Sequence, residues 1–199
     1  MSYVRSGKFR PYLFSLALAI MSVLAKSMAV SLPLVLLLLD RMEKRKLTWR
    51  VWWEKAPFFI GLLSVVGVTY VFNERVLAAS LAEAVLVWVW TFTFYLKTFL
   101  FPAELSPLYT IPSPVSLANV EYAAALGIFV LFTASLYHWM RNRWWTFAGA
   151  YYFLSIFFLL RFNKDIMVSA VADRFMYLPA LGFCLWAGWG AERLISRAR

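Results

Sequence analysis

PYLFSLALAIMSVLAKSMAVSLPLVLLLLD, residues 11–40, holds a single charge, Lys26, before its terminal Asp40. The run is longer than the ~20 apolar residues that one helix needs to cross a bilayer. A charge at mid-bilayer costs at least ~2.5 kcal/mol even on the lenient insertion scale. A turn at Lys26–Ser27 instead brings that charge to an interface. The stretch therefore reads as a helical hairpin over 11–40 with arms at 12–25 and 28–40, Pro33 bending the second arm. A kink of that kind is tolerated inside a bundle. Arg5, Lys8 and Arg10 precede the hairpin and Arg41, Lys44, Arg45 and Lys46 follow it. That flanking charge puts both ends in the cytoplasm.

The rest of the chain continues the pattern. Hydrophobic residues make up 63% of the 199 and charged residues only 15%, outside the range of soluble globular domains. The expected fold class is an all-α polytopic transmembrane bundle of about six to seven membrane segments, a single integral membrane domain over 1–199. After the hairpin, residues 43–54, rich in Trp and basic side chains, read as an interfacial helix. Membrane segments then follow at 56–72, 81–101, 121–140, 145–161 and 175–191.

Charge counting raises a conflict over topology. Loop 41–55 and the RNR of residues 141–143 both carry cytoplasmic charge, yet three apolar segments separate them. An even number of crossings is required. Either segment 81–101 does not cross and lies along the outer leaflet, or RNR is external against a statistical charge bias. On the first reading, the Pro-rich loop after residue 101 is external. Residues 162–174 are then external too, and the C-terminal AERLISRAR is cytoplasmic.

The net charge of +10 suits loops beside anionic lipid. No nucleic-acid motif accompanies it, so no nucleic-acid partner is expected. The single Cys184 has no intrachain partner, His138 reads as the polar end of a helix, and no zinc-type His/Cys cluster is present. VADRFMYLP, residues 171–179, is the oddest stretch: it sets Asp173 and Arg174 side by side between apolar runs, at the external mouth of the bundle.

Four stretches together resemble one family. KSMAVSLPLVLLLLDRM (26–42), EKAPFF (54–59), FPAELSPLYTIPSP (101–114) and VADRFMYLPALGF (171–183) stand in the order seen in the membrane domain of TMTC-like proteins. These are O-mannosyltransferase-like members of the GT-C superfamily whose membrane part usually precedes tetratricopeptide repeats. The last stretch is similar to the family's A-D-R-Y-x-Y-L-P pattern, with Phe175 in place of the first Tyr.

The resemblance implies a partial GT-C-like fold and a polyprenyl-phosphate-linked sugar as donor. The chain is expected to be a multi-pass protein of a bacterial or archaeal cytoplasmic membrane, among membrane lipid. A lipid-phosphate leaving group needs cationic stabilisation, which Arg supplies bidentately and Lys as a point charge. Arg174 and Lys26 are the first candidates, with Lys97, Arg161 and Lys164 behind them; Tyr109 and Tyr177 are candidate hydroxyl contacts, and Asp173 is expected to orient Arg174 or a neighbouring basic group. Each has a plainer alternative. Asp173 and Arg174 can clamp loops or cap a helix, and Lys26 can be a snorkelling hairpin tip.

Members of this superfamily place a catalytic acid, often in an adjacent pair, in an early external loop. No adjacent acidic pair occurs here, and Asp173 and Asp165 are the weak catalytic candidates. The chain thus resembles the C-terminal part of such a domain. That implies a partner membrane polypeptide carrying the catalytic loop or the repeats, with the chain not active alone. A non-catalytic membrane scaffold is the competing reading, because small residues in LAEA (81–84), EYAAALG (121–127) and AGWGAE (187–192) permit close helix approach. A transporter lacks support, since neither an internal repeat nor a buried ion site is visible.

Overall fold

The structure, a computed structural model, describes residues 9–25, 29, 31–46, 48–72, 80–103, 106, 109–157 and 171–198. Among the described residues the fold is all-helical: seven α-helices, one 3-10 turn and no strand. The chain divides into two compact units, Met1–Glu74 and Arg75–Arg199.

In the first unit, α1 (Phe9–Ala25) and α2 (Leu32–Met42) correspond to the two hairpin arms, and both pack against α3 (Trp49–Phe72). The turn at Lys26–Ser27 lies outside the described residues. Pro33 does not kink α2. It stands in the first turn, where the missing N–H breaks no helical bond. A second correction concerns residues 43–72. Residues 43–44 form a turn rather than a helix start, and α3, beginning at Trp49, then runs unbroken through the expected boundary near residue 55 with Pro57 inside it. The interfacial helix 43–54 and segment 56–72 are therefore not separate elements. Tyr12 of α1 ties the bundle together by donating to the Glu54 carbonyl at 2.9 Å, with its ring edge-on to Phe58.

In the second unit, α4 (Leu81–Leu100) pairs with α5 (Val120–His138), and α6 (Arg143–Phe157) with α7 (Tyr177–Ala198); α5 also meets α6. α4 starts with a capping box in which the Ser80 hydroxyl accepts from the Glu83 N–H and the Glu83 carboxylate accepts from the Ser80 N–H. That exchange satisfies two backbone donors which the first helical turn otherwise leaves open. Asn119 caps α5 by accepting from the Glu121 N–H.

The core of this unit is aromatic. Phe92 sits at its centre, with ring centroids 4.9 Å from Tyr152, 5.1 Å from Phe129 and 5.4 Å from Phe132. Edge-on aromatic pairs at such distances contribute about 0.5–1.5 kcal/mol each beyond burial. The Tyr152 hydroxyl, inside this core, donates to the Phe92 carbonyl at 2.6 Å. α6 and α7 approach closely because Gly182 lies against Ala148 and Tyr151: a Cβ there would come within 2.8 Å of the Tyr151 ring and 3.0 Å of the Ala148 carbonyl.

Two described helices, α4 and α5, are long and apolar enough to cross a membrane, and α1 is apolar but shorter. α4 is the segment that charge counting set aside as non-crossing, and its length is sufficient for a span. α5 leaves Ile128, Val130 and Leu131 exposed, apolar surface of the kind that marks a lipid or partner contact.

Candidate functional site

The link between α4 and α5 and the segment before α7 meet in a small polar clamp. Tyr109 and Val171 form an isolated antiparallel bridge, the Tyr109 N–H donating to the Val171 carbonyl at 3.1 Å. One residue further, the Ala172 N–H donates to the Tyr95 hydroxyl at 3.1 Å, and that hydroxyl donates back to the Ala172 carbonyl at 3.3 Å. Tyr95 is fully buried, so this exchange satisfies a phenol that burial would otherwise penalise. Asp173 opens the 3-10 turn Asp173–Phe175. Its Oδ2 accepts from the Ser106 N–H at 2.9 Å, and the Tyr109 hydroxyl donates to the carboxylate at 2.8 Å from Oδ2 and 3.0 Å from Oδ1.

Of the sequence-predicted residues, the structure thus brings Tyr109 and Asp173 into direct contact. Asp173 caps no helix turn: its side chain accepts from across the chain instead, holding the α4–α5 link to the start of α7. Tyr177, at 80% exposure, stands apart from the clamp's hydrogen bonds. Lys26 and Asp165 lie outside the described residues, as do Arg161 and Lys164. The backbone of Arg174 lies in the 3-10 turn, and its side chain is outside the described part.

Beside the clamp, a cavity of about 490 Å³ opens between α4, α5 and their link, within the size range of small-molecule sites. Trp90, Phe94 and Tyr109 form an aromatic wall, Lys97 and Glu121 bring opposite charges, and Thr93 and Thr110 add polar edges. Phe94 packs edge-on against Tyr109 at 4.7 Å and tilts over Trp90 at 5.2 Å. The Thr93 hydroxyl donates to the Ala125 carbonyl at 3.1 Å and fixes the α4–α5 spacing. The Tyr122 hydroxyl donates to the Pro112 carbonyl at 2.9 Å, pinning the link over the opening. Neither Lys97 nor Glu121 has an ion-pair partner among the described residues. An apolar wall with one available cation and one available carboxylate suits an amphiphile bearing an anionic and a hydroxyl-rich group.

The first unit holds a constellation that the sequence reading missed. Asp40, at the end of α2, is paired with Lys55 Nζ at 2.9 Å, and both are buried, at 4% and 7% exposure. Arg45 reaches Glu54 at 2.7 Å and Asp40 at 3.6 Å, while the exposed Arg50 lies 3.8 Å from Glu54. The hydrogen bond from Arg45 holds the Glu54 carboxyl below its ordinary range, and the same bond raises the Arg45 guanidinium. The available signal was the adjacent Glu54–Lys55 pair, one helix away from an Asp40 and Arg45 of complementary charge.

Among the described residues, no three His, Cys, Asp or Glu side chains converge as metal ligands. Cys184 is a free, exposed thiol. No protein-family model, no curated protein and no solved structure matches this chain.

Proposed function

We propose that this chain is a multi-pass membrane protein of the glycosyltransferase GT-C type, similar to the TMTC-like proteins, and that the α4–α5 cavity takes the phosphate-linked end of a polyprenyl-phosphate sugar. The observation that carries the reading is the cavity itself: an aromatic wall with Lys97 and Glu121, neither in an ion pair among the described residues, bordered by the clamped Tyr109. It lies between α4 and α5, the two helices among the described residues that are long and apolar enough to span a membrane.

In this reading Lys97 meets the phosphate, Glu121 and the Thr110 hydroxyl face the sugar, and the aromatic wall holds the first isoprene units. The Asp173 clamp fixes the backbone of Arg174 in its turn, and Arg174 supplies a second cation. General-base activation of an acceptor requires a carboxylate aimed at its hydroxyl. The family resemblance assigns that residue to a loop on a partner membrane polypeptide.

Binding of polyprenyl phosphate to the purified chain, with the corresponding polyprenol as control, tests the proposal. Lys97→Gln is expected to weaken the phosphate by about 10- to 100-fold, the range for a hydrogen bond to a charged group, and to leave the alcohol unchanged. Equal affinity for phosphate and alcohol would refute it.

One observation favours the scaffold reading as an alternative. Gly188 and Gly190 on α7 have open space where a side chain would stand, a surface that another helix can approach closely.

A further inference from the structure

The ion cluster of the first unit sorts charge, and the sorting has a consequence at the protein surface. Asp40 and Glu54 are engaged by Lys55 and Arg45 on the inside. Arg41, Lys44 and Lys46 remain exposed, with Glu43 as the lone exposed acid among them. Arg50 keeps 86% of its side chain exposed, its link to Glu54 being long at 3.8 Å. Lys44 even adopts a left-handed backbone, φ 57°, a conformation that non-glycine residues enter at a cost.

Against these cations stand exposed tryptophans. Trp49 and Trp53, one helical turn apart in α3, are 74% and 63% exposed and pack edge-on at 5.8 Å. Trp52 is exposed beside them and stacks on Phe59. The first turn of α3 contains no acid, so its dipole adds to the positive field. Beyond residue 55 the same continuous helix becomes apolar.

From this we infer that the α2–α3 connection and the first two turns of α3 form a collar that binds the headgroups of anionic phospholipids. Cations bind the phosphate layer while indole rings occupy the boundary between headgroup and acyl chain. Charge complementarity selects an anionic surface. The apolar continuation of α3 selects a bilayer over nucleic acid, because it places the collar at the end of a hydrophobic rod. The inference is independent of the sugar-donor reading, since it uses no residue of the α4–α5 cavity.

The test reconstitutes the full chain in phosphatidylcholine and compares association of spin-labelled phosphatidylglycerol with spin-labelled phosphatidylcholine. Preference for phosphatidylglycerol that falls as salt rises is expected. The combined Arg41→Gln, Lys44→Gln, Lys46→Gln and Arg50→Gln variant is expected to lose it. Arg50→Gln alone, at the most exposed position, is expected to lower it about five-fold, the effect of one basic residue near an anionic surface; it serves as the readout if the combined variant does not fold. Arg193→Gln with Arg197→Gln, on α7, is expected to keep the preference. Undiminished preference in the collar variants would overturn the inference. Equal displacement of phosphatidylglycerol by single-stranded RNA would do so as well, by making the surface a general polyanion site.

Discussion

The Tyr109 hydroxyl donates to the Asp173 carboxylate at 2.8 Å across 64 residues of sequence, closing the one polar clamp described between the α4–α5 link and the entry to α7. A charge-assisted bond of this kind is worth more than a neutral one, and Asp173 accepts a second bond from the Ser106 N–H. Tyr109→Phe is expected to lower stability by about 1–3 kcal/mol. Asp173→Asn is expected to cost at least as much, because its amide lacks the charge that both donors address. Thermal unfolding of the purified variants measures both.

Close helix approach at Gly182 yields an opposite-sign pair. Gly182→Leu drives a side chain into the Tyr151 ring and the Ala148 carbonyl, and overpacking of this kind costs about 1–3 kcal/mol. Gly188→Ala, where the space is open, is expected to be neutral or to stabilise by up to ~1 kcal/mol through helix propensity. Unfolding temperatures of the two variants in one detergent check the contrast.

Acid sensitivity follows from Glu54. Its carboxyl is held below the ordinary value of 4.5, chiefly by the hydrogen bond from Arg45. A depressed carboxyl contributes stability that is full above its unfolded value and is lost as pH falls through the folded one. The protein is therefore expected to lose stability as pH drops below about 4.5, and Glu54→Gln to flatten that limb. The Arg45 guanidinium is raised by the same hydrogen bond, and the stability this contributes is fully present across the acid and neutral range, so it adds no slope there. Unfolding midpoints between neutral and acid pH measure the slope.

Removing one partner of the buried pair strands the other. Among the described cations, Lys55→Met leaves Asp40 facing the more distant Arg45, 3.6 Å away, and breaking a buried pair in this way costs about 3–5 kcal/mol. Asp40→Leu combined with Lys55→Met removes both charges and is expected to recover most of the loss. A double-mutant cycle on unfolding free energy isolates the coupling.

The sequence made some of this architecture legible and hid the rest for physical reasons. The hairpin arms at α1 and α2 follow from apolar runs bounded by basic residues, and the ends of α4 and α5 lie within a few residues of the expected segments. α3 was divided in error because its Trp-rich basic start reads as an interfacial helix and its apolar continuation as a separate span, the change falling at Glu54–Lys55. In the fold the two charges are neutralised by Arg45 and Asp40, and the helix carries the proline. The Ser80–Glu83 capping box is a spacing any reading can find. Tyr109 and Asp173 were each singled out, but their contact was not, because local periodicity carries no information on pairing across 64 residues. Lys97 stood out as a charge within an apolar run, whereas Glu121 became a site residue only when the α4–α5 pairing set both at one cavity.

Photo-crosslinking with a polyprenyl phosphate that carries a reactive group in its first isoprene units locates the donor lipid on the protein. Labelled peptides are expected from α4, α5 and the link joining them, lost in Lys97→Gln and lost on competition with unlabelled polyprenyl phosphate but not with polyprenol. Labelling spread evenly over all the apolar helices, or unaffected by the phosphate competitor, would contradict the account.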